Sequence, residues 1–169
     1  MERQTLTARA MKTDDHFLRA AIALAHANVA AGGRPFGAVV VRGGEIVATG
    51  VNDVIGSHDP TAHAELAAIR AASRTLGTAD LGDCAVFASG HPCPMCMAAM
   101  RLAGVGAVTY AYSNEDGAPY GLSTAALRAE LARPFSEQSM TIRHMPARLD
   151  TCPDLYGEWR RRQDARQPD

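Results

Sequence analysis

Five short β-rich runs alternate with stretches of helical periodicity along this chain, and that alternation restricts what it can fold into. The β-rich runs are FGAVVV (36–41), EIVATGV (45–51), CAVFAS (84–89), AVTYAY (107–112) and SMTIRHM (139–145). Between and around them lie apolar residues at helical spacing: 14–33, 64–73, 95–104, 123–132 and 154–166. The order α-β-β-α-β-α-β-α-β-α predicts an α/β layered domain with its sheet covered on both faces. FGAVVV and EIVATGV flank Arg-Gly-Gly, a hairpin signal in which the glycines supply positive φ, so part of the sheet is expected to be antiparallel. In the first helix, Leu18, Ile22, Ala25 and Val29 form one stripe, with Asp14 suited to its start and Gly32 to the position past its end. His16 and His26 on that helix read as surface residues. Residues 14–169 are expected to form a single domain, preceded by a polar, flexible segment over 1–13.

Charge and composition exclude several roles. With 17 basic and 18 acidic residues the formal net charge is −1, which supplies no broad field to draw nucleic acid or an anionic membrane. No apolar run reaches membrane-spanning length, and the N-terminus lacks the apolar centre of a signal peptide. A cytoplasmic location follows as the expectation. There, the 4 cysteines are poor candidates for disulfides, and a closely spaced pair points to metal binding or catalysis.

Cys93 and Cys96, within SGHPCPMCMAAM (89–100), are such a pair. A spacing of three puts both on one helix face. Pro94 suits the first helical position, which makes Cys93 the N-cap and sets both sulfurs at the positive end of the helix dipole, where thiolate is favoured. Upstream, His63 and Glu65 stand two apart in HDPTAHAELAAIR (58–70). In mid-helix they would diverge by roughly 200°. They can face one site only if a helix begins there, and Asp59-Pro60 is a start signal. Were His63, Cys93 and Cys96 to hold one zinc, three ligands would leave a fourth position for water, which is the catalytic arrangement. Glu65 is then placed to serve as a base. A redox pair or half of a structural zinc knuckle is the alternative for C-x-x-C alone, but no second pair stands at suitable spacing. Cys84 and Cys152 read as small buried hydrophobes, and Met95, Met97 and Met100 as core.

H-x-E followed by P-C-x-x-C is the signature of zinc nucleobase deaminases. With PFGAVVV added, the chain from about Leu18 to Asp116 resembles the cytidine-deaminase-like superfamily, in the branch that holds bacterial guanine deaminases and tRNA adenosine deaminases. The resemblance implies a three-layer α-β-α sandwich with a central five-stranded mixed sheet, a homodimer, and one Zn²⁺ per chain. It implies hydrolytic deamination, with Glu65 as the proton shuttle. It also implies that Asn52 hydrogen-bonds the substrate ring, that Phe36 packs on the base, and that Asp116 reads the purine. A free base or base-like heterocycle is the expected substrate, guanine first, with tRNA adenosine or triazine, pterin or modified-base rings as alternatives. Two departures stand out. His91 replaces the glutamate usual before P-C-x-x-C, and the C-terminal YGEWRRRQDARQPD differs from guanine deaminases.

Overall fold

The computed structural model describes residues 2–151 and 154–166. Residues 1–133 form one unit and residues 134–169 a second.

Within the first unit, α1 (Glu2–Ala30) is followed by the hairpin β1 (Gly37–Arg42) and β2 (Glu45–Val51), then α2 (Val54–Ser57) and α3 (Ala64–Leu76). β3 (Cys84–Gly90), α4 (Pro94–Leu102), β4 (Ala107–Tyr112), α5 (Asn114–Gly117) and α6 (Ala125–Leu131) complete it. The sheet order is β2-β1-β3-β4. β1 runs antiparallel to β2 and β3, and β3 runs parallel to β4, so the sheet is mixed as expected. Gly43 and Gly44 make the two-residue hairpin turn with φ of 58° and 84°, the conformation that matches strand twist.

Residues of β1 alternate across the sheet, because successive side chains point to opposite faces. Val39 and Val41 join Phe17 of α1 and Phe87 of β3 on one side. Ala38 and Val40 join Leu66 and Ile69 of α3, Val86 of β3 and Met100 of α4 on the other. The result is the expected α-β-α layering. The buried face of α1 is carried by Phe17, Ala21 and Ala25, a stripe shifted from the predicted one, and Val29 is half exposed. α1 also begins at Glu2, well before Asp14. His16 and His26 are exposed, and Met100 and Cys84 are buried, in line with expectation. Cys152 lies outside the described residues.

One contact fixes the depth of α3. A Cβ on Gly50 would lie 2.3 Å from the Ala64 carbonyl oxygen and 2.5 Å from the Ala68 nitrogen. Only glycine lets β2 meet the helix backbone this closely.

The sheet has four strands among the described residues, not five. Residues 139–145 are exposed and form no ladder. Met140 and Ile142 supply strand propensity, but propensity of this kind reports fit to a pleated neighbour and creates none. The second unit instead contains α7 (Leu155–Asp164), as predicted for its end. No described helix is long and apolar enough to cross a membrane.

Candidate metal centre and adjoining cleft

Two helix starts build the centre. α4 begins at Pro94 with Cys93 as its N-cap, in extended backbone (φ −70°, ψ 165°). α3 begins at Ala64 with His63 as its N-cap (φ −80°, ψ 152°). Neither side chain makes a capping hydrogen bond, so both are turned to other work. α3 thus begins where its helical run was read, but Asp59-Pro60, taken as its start signal, does not head it. The Asp59 carboxylate instead accepts from the Thr61 N–H and hydroxyl, both at 2.7 Å, closing a local turn before the helix.

Cys93 Sγ lies 3.4 Å from His63 Nδ1 and 3.5 Å from Cys96 Sγ, and Cys96 Sγ lies 3.6 Å from His63 Nδ1. Zn–S and Zn–N distances of about 2.3 and 2.0–2.1 Å around a tetrahedron require ligand separations of roughly 3.5–3.8 Å. The three atoms therefore span one face of a zinc tetrahedron before any ion is added, and the group fits one Zn²⁺. Sulfur and imidazole are also the donors zinc prefers.

The electrostatics suit that set. Hydrogen bonds with Cys96 and His63 hold the Cys93 thiol down at about 4. Its bond to Cys93, burial and the Glu65 carboxylate hold Cys96 up, and binding of a metal to a thiol releases its proton. The bond to Cys93 raises His63. Burial pushes Glu65 up from the ordinary carboxylate range, and its Oε2 accepts from Cys96 Sγ at 3.4 Å.

The buried polar side chains of the described residues are Asn52, Glu65, Ser89 and Asn114. Asn52 follows β2; its Oδ1 accepts from the Val54 N–H at 3.3 Å and its N–H donates to the Phe36 carbonyl at 3.1 Å. Asn28 of α1 donates its side-chain amide to the Asn52 and Arg34 carbonyls at 2.8 and 2.7 Å. The loop that carries Phe36 is thereby tied to Asn52.

A cleft of about 510 Å³ adjoins this end of the sheet, with Phe36, Gly90, His91, Asn114 and Asp116 in its lining. Phe36 lies so close over Gly90 that a Cβ there would sit 2.9 Å from its ring. Asp116 caps α5, where its Oδ2 accepts from the Ser113 N–H and hydroxyl at 2.8 and 2.9 Å, and this holds the carboxyl below its usual range. The structure thus gathers Phe36 and Asp116 on the cleft, and Glu65 with the three ligand atoms at the metal end.

Three residues that sequence inspection passed over contribute here. Asn114 accepts from the Thr124 N–H at 2.9 Å and so braces the segment that follows β4. Arg128 of α6 contacts His91. Asn28 carries a detectable signal, as a polar residue on the Phe17–Ala21–Ala25 stripe of α1.

Residues 11–112 match the cytidine and deoxycytidylate deaminase zinc-binding region. The chain belongs to this zinc-dependent deaminase family. The deaminase is therefore a hydrolase of C–N bonds whose His-Cys-Cys group suits the family's metal. It is 45% identical over 125 residues to the guanine deaminase of Bacillus subtilis strain 168, covering 73% of this chain and 80% of that enzyme. The crystal structure of guanine deaminase from Bacillus subtilis superposes with a TM-score of 0.75 at 38% identity, over 92% of this chain and 94% of that one. A tRNA-specific adenosine deaminase from Aquifex aeolicus is 38% identical over 96 residues, covering 57% of this chain and 64% of that enzyme.

Proposed function

We propose that this deaminase removes the amino group of a free nucleobase, guanine foremost, by hydrolysis. The observation that carries the assignment is Glu65: a carboxylate only 7% exposed, beside the zinc-fitting trio yet outside it. A structural zinc site has no use for such a group. Similarity to the Bacillus guanine deaminase over most of both chains supports the substrate.

In this assignment His63, Cys93 and Cys96 hold the zinc, which when bound supplies an acidified water. Glu65 would carry two protons: one from that water to a ring nitrogen as the water oxygen bonds the amine-bearing carbon, and one from the added hydroxyl to the amine as its C–N bond breaks and ammonia leaves. Its raised proton affinity suits a group that must both accept and release. Asn52, 2% exposed and braced on both sides, fixes the ring edge. Phe36 packs on the ring face. Asp116 reads the purine with Oδ1, since the helix cap takes Oδ2. The working enzyme is a cytoplasmic homodimer acting in purine metabolism.

A second substrate class, adenosine in tRNA, is favoured by relatives such as the Aquifex enzyme. Phosphate contacts dominate nucleic-acid affinity, and a chain of net charge −1 is poorly suited to them. Ammonia release measured over guanine, adenine, cytosine, a pterin, a triazine and an anticodon stem-loop tests the proposal. Guanine should lead. Preferential, steeply salt-dependent turnover of the stem-loop would reverse the order, and equal rates on all free rings would remove guanine from first place.

A further inference from the structure

His91 is the residue that the chemistry above leaves unused. It sits between Gly90, the end of β3, and Pro92, two residues before the ligand Cys93. Its ring lines the cleft described above with Phe36 and Asp116, and also lines a second cleft with Pro94, Met97 and Arg128. It is a partition between the two.

Two contacts immobilise that ring. It stacks on Tyr110 of β4 with centroids 4.5 Å apart and planes 29° from parallel. Its Nε2 meets the Nη2 of Arg128, brought in by α6. Arginine has five donors and no acceptor, so Nε2 must be the accepting nitrogen. An imidazole that accepts at Nε2 carries its proton on Nδ1. Among the described residues Arg128 forms no ion pair, so no carboxylate competes with His91 for it.

We propose that His91 is a specificity-determining residue: locked by Arg128 and Tyr110 as the Nδ1–H tautomer, it offers that N–H to the ring bound in the cleft and selects rings with an acceptor, a carbonyl oxygen or an unprotonated ring nitrogen, on the edge facing it. Arg128 is the positioning residue behind it. The proposal rests on the amino-heterocycle assignment above and adds to it the hydrogen-bonding character of the preferred ring. A site built around a donor discriminates against rings that would leave the donor unpaired.

The test has two arms. In the first, nitrogen NMR of the zinc-loaded, histidine-labelled protein should show His91 unprotonated at Nε2 and protonated at Nδ1, with Arg128→Met giving a mixture and Arg128→Lys restoring the single form. A protonated Nε2 in the unaltered protein overturns the proposal. In the second, kcat and KM are measured for guanine, for 2-aminopurine, which lacks the carbonyl oxygen, and for 7-deazaguanine, which lacks one ring nitrogen. The unaltered enzyme should prefer guanine over one of these analogues by about tenfold, the effect of one neutral hydrogen bond. His91→Phe keeps the stack and loses the donor, so that preference should vanish, mainly through KM. His91→Gln should restore part of it, and His91→Glu, which keeps Arg128 paired but offers only an acceptor, should not. Undiminished preference in His91→Phe, or an equal fall on all three rings, overturns the proposal. If the unaltered enzyme releases ammonia from none of the three, the guanine assignment fails. The NMR arm and equilibrium binding of the same three bases then decide the role of His91, equal affinities in the unaltered protein and His91→Phe counting against it.

Discussion

Two pairs of helix starts in this protein contrast. α5 and α7 are capped by their own side chains: Ser113 and Asp116 form a reciprocal capping box, and Asp154 accepts from the Gly157 N–H at 3.1 Å. α3 and α4 have His63 and Cys93 at the equivalent position, and neither side chain makes a capping hydrogen bond. The first kind stabilises the fold; the second gives up a cap worth about 1 kcal/mol so that the same position can present a ligand. The comparison shows where chemistry has displaced local stability, and it can be tested at both ends.

Glu65→Ala carries the largest expected effect. Turnover should fall by at least about 10³-fold, the range of a lost proton shuttle, while elemental analysis still finds zinc near one per chain, since Glu65 is no ligand. Retained turnover would end the assignment. Cys96→Ala should remove the metal along with activity, because two donors do not hold zinc at a structural angle; the check is zinc content after dialysis. Gly50→Ala forces α3 away from β2 and should lower unfolding free energy by about 1–3 kcal/mol in chemical denaturation, with weaker zinc retention as the helix carrying His63 moves. The smallest effects separate the two kinds of start. Ser113→Ala should cost about 1 kcal/mol and leave zinc content unchanged. His63→Ser, measured without metal, should gain a comparable or smaller amount while abolishing zinc binding. A loss of stability there would mean that His63 already serves its helix.

The metal end could be read from the sequence because its determinants are local. Pro94 announces the start of α4 two residues before Cys96, and H-x-E needs only a helix beginning beside it. The alternation of β-rich and helical runs gave the layers for the same reason. What escaped depends on partners far along the chain. Asp59-Pro60 resembles a helix start, and only the hydrogen bonds to Thr61 show it to be a turn. Residues 139–145 have strand composition, but composition cannot supply an adjacent edge. The buried stripe on α1 differs from the predicted one because Phe17 is drawn inward by packing on Phe87. Arg128 meets His91 across 37 residues of sequence, and nothing in either segment announces the other.

The glycine contact between β2 and α3 has a consequence for how such an enzyme can diversify. With the helix backbone set directly against the strand, the positions of His63 and Glu65 are fixed by the sheet itself. The segments around Phe36 and His91 are held by a few hydrogen bonds and one stacked ring, and residues 113–124 are braced by a bond within the segment. Mutations can therefore explore new substrates along the cleft while the reaction stays constant. The fold keeps what is done apart from what it is done to, and lineages can alter the second without reinventing the first.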